Sequence, residues 1–254
     1  MSWCDKLAAT AAMGVKFDTQ MIGSGVLLDR FTPLLNSWLD GEKVPFNIEQ
    51  FNENPFGLSF ITDDGFLYGV DASRAHVSFR HRMRARSISG GHPTMEMLSQ
   101  PLPYTELLEG VSDKLLDFTL LVPNIAERNL LRVGVIAKAT VDRDDFPPGI
   151  ERFYEYIGRP WRGEVDGATF SITGNIQTTS RFKDRCIHKF VQPDDGEELC
   201  TLEFDWQRIL VGGMHIGKKA LEEIFERCRI DALGYFEELA EGSRFDEEFI
   251  CEPA

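Results

Sequence analysis

Hydrophobic and polar residues alternate through residues 74 to 86, and this pattern predicts a strand with one basic face. The even-numbered positions are Arg74, His76, Ser78, Arg80, Arg82, Arg84 and Arg86. The odd-numbered positions are Ala75, Val77, Phe79, His81, Met83 and Ala85. Successive side chains of a strand point to opposite faces. The four arginines from position 80 to position 86 are therefore expected to form a ladder about 20 Å long.

The same periodicities predict the other elements of the first half. Residues 15 to 21 alternate as a half-buried strand, and residues 24 to 41 have helical spacing with a proline inside it. An asparagine-rich segment, predicted as a loop, precedes the strands FGLSFI and FLYGV, which form a three-stranded meander with the arginine strand. A helix is expected from about residue 105 to residue 121, where leucine, valine and phenylalanine make one apolar stripe.

From residue 130 the order begins again. LLRVGVIAKATV shows little alternation, which predicts a strand buried on both faces. A short helix at 150 to 157, strands at 164 to 177, 181 to 191 and 199 to 208, and a helix at 217 to 240 follow. We therefore predict an α+β fold with two tandem strand-helix-three-strand-helix units, residues 1–124 and 125–254, whose mainly antiparallel sheets are covered by helices and packed as one body.

Composition places the arginine strand in an acidic chain. The 254 residues include 27 Lys and Arg against 41 Asp and Glu, for a net charge of -14, with 43% hydrophobic residues. Such a charge disfavours non-specific binding to nucleic acid or to an anionic membrane. A polyanion would therefore have to bind a local basic patch.

The five cysteines, Cys4, Cys186, Cys200, Cys228 and Cys251, are widely spaced and form no zinc-like motif. This usage is typical of reduced thiols in a cytoplasmic protein. The chain holds no apolar run of the roughly 20 residues that cross a membrane. We expect no cofactor and no contact with a membrane.

Three interpretations of the arginine ladder stay open: an external anionic partner, an acidic partner within the chain, and plain solvent exposure. A second ladder of basic residues at alternate positions offers a comparison. It consists of Arg181, Lys183, Arg185 and Lys189, and the strand that follows presents Thr201, Glu203 and Asp205. Those acids are expected to neutralise the second ladder. The strand FLYGV offers no acid to the first.

Candidate chemistry is sparse. His76 lies on the basic face and could transfer protons in metal-independent RNA cleavage, although the sequence identifies no second acid or base. Asp142, Asp144 and Asp145 lack the spacing of a calcium loop, so a solvated acidic loop is the expected interpretation. His188 and Cys186 share parity with Phe182 and Phe190 and are expected to face the core. No catalytic or metal-binding residue is predicted.

Two segments carry a family resemblance. LLRVGVIAKATV, and the helix that follows the histidine of MHIGKKALEEIFE, resemble a sporadically distributed family of uncharacterised bacterial proteins of similar length. The resemblance implies an α+β fold of this kind and a prokaryotic or phage setting. It transfers no catalytic residue.

The leading hypothesis is an interaction protein rather than an enzyme, from a defence or toxin-immunity type of assembly. Its expected binding residues are Arg74, His76, Arg80, Arg82, Arg84 and Arg86. Nucleic acid, an acidic protein surface or another copy of this chain could be the partner. The alternatives are a nuclease that uses His76, and an acidic binder that neutralises a basic protein.

Overall fold

The computed structural model describes residues 3–18, 48–54, 57–62, 64–81, 83–86, 94–97, 102–120, 128–158, 168–192, 199–215 and 217–244. The first half contains β1 (Ala8–Phe17), β2 (Ile48–Asn54), β3 (Gly57–Thr62), β4 (Phe66–Asp71), β5 (Arg74–Phe79), β6 (Met83–Arg86), β7 (Thr94–Met97) and α1 (Tyr104–Leu120). The second half contains β8 (Asn129–Asp142), α2 (Pro148–Gly158), β9 (Ala168–Thr178), β10 (Phe182–Gln192), β11 (Leu199–His215) and α3 (Lys218–Glu241). The predicted α+β class is confirmed.

A nine-stranded antiparallel sheet organises the fold. Its order is β2-β3-β4-β5-β1-β8-β11-β10-β9, while β6 and β7 form a separate two-stranded sheet. Strands β1 and β8 lie at the centre and pair with each other from Ala8 opposite Thr140 to Lys16 opposite Arg132. Residues far apart in sequence are thereby brought side by side in the middle of the sheet.

One face of the sheet carries the helices. Helix α1 packs on β1 and β5, α3 packs on β8 and β11, and α1, α2 and α3 join in one layer through α3. Strand β1 buries its odd-numbered side chains, from Ala9 to Phe17, against this layer. Within the described residues no helix packs on the opposite face, which is called the open face below.

Aromatic packing and one ion pair fix the core between sheet and helices. The Phe204 ring stacks on Tyr235 at 4.3 Å, and the Tyr104 hydroxyl donates to the Ala232 carbonyl oxygen at 2.9 Å. Arg208 donates from Nε and Nη2 to the two carboxylate oxygens of Asp184, both at 2.7 Å, and this pair is largely buried. A bidentate pair of this kind fixes the register of β10 against β11 at the core.

Cys186 and His188 face the core, as their parity predicted. Cys186 is buried, and the His188 ring stacks on Tyr235 at 5.2 Å. Burial, followed by the nearby Arg244 guanidinium, lowers the pKa of His188 to about 4. This imidazole is therefore neutral at physiological pH.

Strand β8 is not buried on both faces, so that prediction was wrong. Its burial alternates, with Val133, Val135 and Ala137 inside and Ile136 and Lys138 exposed on the open face. The alternation of buried and exposed positions was not visible in the sequence, because the Gly and Ala residues of this strand are found on either face of a sheet.

Several element boundaries also differ from the predictions. The asparagine-rich segment predicted as a loop forms β2, which pairs with β3 from Ile48 to Asn54. Strand β1 begins at Ala8 rather than at residue 15. Strand β11 continues past residue 208 to His215, because Gly212 and Gly213 adopt positive φ angles of 74° at a break in its register with β8. The helix predicted at 24 to 41 lies outside the described residues.

None of the described helices combines the length and the apolar character that crossing a membrane requires.

Candidate anion-binding groove on the open face

A groove of about 340 Å³ lies on the open face at the centre of the sheet. Strands β5, β1, β8 and β11 form it side by side. The polar side chains that line it are Lys16, Arg74, His76, Arg132, Asp205 and Gln207. Because four strands contribute, the site exists only when both halves of the chain are paired.

Two facing glycines make the floor of the groove. Gly14 lies opposite His76 on one side and Gly134 on the other, and Gly134 lies opposite Gln207. A Cβ at Gly14 would lie 3.3 Å from the Ala75 carbonyl oxygen, and one at Gly134 would lie 3.1 Å from the Trp206 carbonyl oxygen. A side chain at either position would crowd the neighbouring backbone, and the absence of both side chains leaves the depression open.

The His76 ring lies over a third glycine. A Cβ at Gly69 would come within 2.3 Å of His76 Cε1, so only glycine leaves room for the ring there. The ring therefore leans toward β4 and away from Gly14. The contact with β4 partly buries the ring and lowers the pKa of His76, and the neighbouring Arg80 and Arg74 lower it further against the opposing effect of Asp71. His76 can offer hydrogen bonds at neutral pH but little charge.

Three cations stand in a row along one side of the groove. Arg74 of β5 lies opposite Lys16 of β1, and Lys16 lies opposite Arg132 of β8. Neighbouring strands are about 4.8 Å apart, so these side chains start within about 10 Å of one another. Arg74, Lys16 and Arg132 are called the cationic row below.

The cationic row has no carboxylate partner among the described residues: none lies within ion-pair distance of these three side chains. Two acids near its end are engaged locally. Asp71 Oδ1 accepts from the backbone N–H groups of Ser73 and Arg74 at 2.7 and 2.8 Å. Asp18 accepts from the Asn129 backbone and side-chain amides, both at 3.0 Å. The row therefore leaves a concentrated positive charge facing outward.

The opposite wall is built from an amide and a carboxylate. Arg132 Nη1 donates to Gln207 Oε1 at 3.2 Å, and Gln207 Nε2 donates to both Asp205 oxygens at 3.0 and 2.8 Å. Burial raises the pKa of Asp205, while the Gln207 hydrogen bond and the charge of Arg132 lower it in part. The chain of hydrogen bonds fixes the Gln207 amide and leaves Asp205 facing the groove.

The arginine ladder is partly present. Arg74, His76 and Arg80 are exposed, while Ala75, Val77 and Phe79 are buried, so the predicted basic face of β5 is confirmed. The four-arginine comb on one strand was wrong, because β5 ends at Phe79 and β6 begins at Met83.

The backbone leaves the large sheet at this point. Arg80 N donates to the Gly65 carbonyl oxygen at 3.1 Å, and β6 then pairs with β7. In that small sheet Arg84 stands opposite Glu96 and Arg86 opposite Thr94. Arg82 lies outside the described residues.

The structure groups the predicted residues Arg74 and His76 with two cations that the sequence interpretation missed. Lys16 and Arg132 join them because β1 pairs with both β5 and β8. The only local signal was a glycine two positions from each cation, at Gly14 and Gly134. Such a signal gains meaning only when the strand register is known.

The second ladder lies on the open face beside acidic residues, as predicted. Lys189 stands opposite Glu203, and Arg185 stands opposite Gln207. Glu203, however, makes its ion pair with Lys138 of β8, at 2.8 Å. Among the described residues neither Glu203 nor Asp205 forms an ion pair with the second ladder, so the predicted neutralisation of that ladder by direct pairing is not found.

Asp142, Asp144 and Asp145 lie in an exposed turn at the end of β8, where Asp142 Oδ1 accepts from the Asp144 backbone N–H at 3.1 Å. Among the described residues there is no group of three or more His, Cys, Asp or Glu side chains that could hold a metal ion.

Comparisons with protein-family models, with curated proteins and with solved structures give no match. No residue role is therefore carried over from another protein.

Proposed function

We propose that this protein binds nucleic acid through the open face of its sheet, with the cationic row at the centre of the contact. One observation carries the proposal: three adjacent cations without a carboxylate partner in the described chain line one side of a groove on an exposed sheet face. A phosphate backbone supplies the matching negative charge. The role is one of binding rather than catalysis.

Segregation of charge across the two layers supports the proposal. Register places Lys138, Lys183, Arg185 and Lys189 on the open face with the cationic row. The helix layer instead exposes the acids Glu106, Glu109, Asp113, Asp117, Glu223 and Glu226. Among the described residues, the open face is therefore the side that we expect to approach a polyanion, in a chain of net charge -14.

The open face favours backbone contacts over base stacking. Of the described side chains that line the groove, none is aromatic apart from His76. Single-strand binders that use stacking platforms place aromatic rings along the path of the bases. We therefore expect affinity to come mainly from phosphate contacts and to depend strongly on salt.

We also propose that the fold is an internal repeat. The chain consists of two units, residues 1–124 and 125–254, that meet through their first strands. The strand order supports this, since β1 pairs with β5 and β8 pairs with β11 in the corresponding way. In this proposal the groove lies at the junction of the two units.

The proposed setting is a prokaryotic or phage-related assembly of the defence or toxin-immunity type, in the cytoplasm. The resemblance of the β8 and α3 segments supports the first part. The four described cysteines, Cys4, Cys186, Cys200 and Cys228, are free thiols, which fits a reducing compartment.

The test measures binding of labelled single-stranded and duplex nucleic acid by fluorescence anisotropy over a salt series. The variant carries Lys16→Gln, Arg74→Gln and Arg132→Gln, and the matched control carries Lys218→Gln, Lys219→Gln and Arg227→Gln on α3. For a single strand, loss of three phosphate contacts should make the slope of log K against log salt less steep by about 2. The control should keep the wild-type slope.

Equal slopes in wild type and row variant would refute the proposed contact. Binding of a basic protein, in place of nucleic acid, would instead favour the helix layer as the interaction surface. RNA cleavage that His76→Ala abolishes would favour the nuclease alternative.

A further inference from the structure

We propose that the groove is a subsite for one nucleotide unit, with its phosphate at the cationic row and an amino or hydroxyl donor of its base or sugar at Asp205. This inference rests on the proposed function and specifies which part of the partner enters the groove. The same chemistry could come from a free nucleotide or from a unit of a longer strand.

The phosphate end follows from the donors that remain available. Arg74 and Lys16 make no side-chain hydrogen bond or ion pair among the described residues, and Arg132 uses only Nη1, toward Gln207. A guanidinium has five N–H donors and can bind a phosphate with two of them in parallel. The glycine floor beside the row lets the ligand lie close to the strands.

The acceptor end follows from Asp205. Gln207 Nε2 donates to its two oxygens, but a carboxylate has about four acceptor positions, so capacity remains. No Lys or Arg of the described chain forms an ion pair with it. A carboxylate in this position repels phosphate and accepts hydrogen bonds from amino groups such as cytosine N4. The ligand is thereby held in one direction.

The two ends of the groove leave room for a phosphate at one and a base or sugar donor at the other. Arg132 lies beside Lys16, and Ile136, four residues further along β8, lies beside Asp205, so the backbone positions are about 13 Å apart. The Gln207 amide bridges the Arg132 guanidinium to the Asp205 carboxylate, so the space for sugar and base lies between Asp205 and the Lys16 and Arg74 end of the row. The groove volume of about 340 Å³ falls in the range of small-molecule sites.

The test uses isothermal titration calorimetry with inorganic phosphate, cytidine, cytidine monophosphate and a short single strand. Ala12→Leu places bulk in the groove without removing a charge, since Ala12 is part of its lining. Thr10→Leu is the matched control, two residues earlier on the same face of β1. Asp205→Asn, nearly identical in shape, is a second variant that removes the acceptor charge.

In the wild type the monophosphate should bind at least tenfold more tightly than phosphate or cytidine. Ala12→Leu should abolish that advantage, and Thr10→Leu should retain it. Asp205→Asn should reduce monophosphate affinity toward that of phosphate while phosphate affinity is kept or increased. If the natural ligand is a strand, Ala12→Leu should also weaken the oligonucleotide about tenfold; if it is a free nucleotide, the oligonucleotide should bind no better than the monophosphate.

Different results would overturn the nucleotide subsite and the proposed binding of nucleic acid. Monophosphate binding no tighter than phosphate, or unaffected by Ala12→Leu, overturns the subsite while salt-dependent oligonucleotide binding can persist. Absence of all oligonucleotide binding overturns the proposed function, even when the monophosphate binds the groove.

Discussion

Replacing Lys16 with glutamine should stabilise the protein, because Lys16 stands between two other cations. Arg74 and Arg132 lie on the strands at either side, opposite Lys16 in register. With side-chain charges about 6 Å apart in a water-like dielectric, each neighbour repels Lys16 by about 0.7 kcal/mol. A Debye length of about 8 Å at physiological salt reduces this by about half.

The two repulsions together give an expected gain in free energy of unfolding of about 1.4 kcal/mol at low salt, which screening should reduce to about 0.7 kcal/mol at physiological salt. Urea unfolding of wild type and Lys16→Gln at low and high sodium chloride measures both effects. Lys138→Gln is the control, since Lys138 lies on the same face but pairs with Glu203 at 2.8 Å. That variant should be neutral or lose up to about 1 kcal/mol.

A destabilising Lys16→Gln that responds to salt as Lys138→Gln does would refute the reasoning. Such a result would mean that the charge of Lys16 is already compensated in the folded protein. The groove would then lose its excess positive charge, and the proposed contact with phosphate would lose its main support.

Three further predictions concern the core. Asp184→Asn should cost about 3–5 kcal/mol in urea unfolding, because the largely buried Arg208 loses its carboxylate, whereas Asp205→Asn should cost much less. His188, with a pKa of about 4 when folded and about 6.5 when unfolded, should reduce stability as the pH falls from 6.5 to 4, since the unfolded chain takes up the proton first. Unfolding curves across this range should show a smaller decline for His188→Gln, and an unchanged decline would contradict the assignment. Burial raises the pKa of Cys186 to about 12, so a thiol reagent should modify it only on unfolding, as mass spectrometry of the labelled peptide can determine.

Local sequence patterns predicted the parts of the fold that depend on one element at a time. The exposed and buried parities of β5 were correct, and the apolar stripe of α1 is buried at Leu107, Leu108, Val111, Leu115 and Phe118. These features follow from a period of two or 3.6 and the contrast between polar and apolar side chains.

The errors arose where pairing between strands decides the outcome. Strand β2 forms in an asparagine-rich segment because β3 pairs with it, despite a composition that favours turns. The arginine alternation continues past Phe79, yet the chain leaves the large sheet there and enters a second one. Alternation indicates which side chains share a face, but not how long the strand remains in one sheet.

The groove could not be predicted from a single sequence. Lys16 and Arg132 become neighbours only through the antiparallel register of β1 and β8. Arg74 was predicted as part of a comb along one strand, whereas its cationic partners stand across strands. The basic character of the face was thus predictable, and its concentration at the centre of the sheet was not.

Site-specific photo-crosslinking tests the central claim most directly. A benzophenone side chain placed at Thr140, exposed on the open face, should crosslink to labelled nucleic acid, and excess inorganic polyphosphate should suppress the adduct. The same group at Glu223, exposed on α3 in the helix layer, should give none. Adducts from Glu223 with none from Thr140 would show that the open face is not the surface that binds nucleic acid.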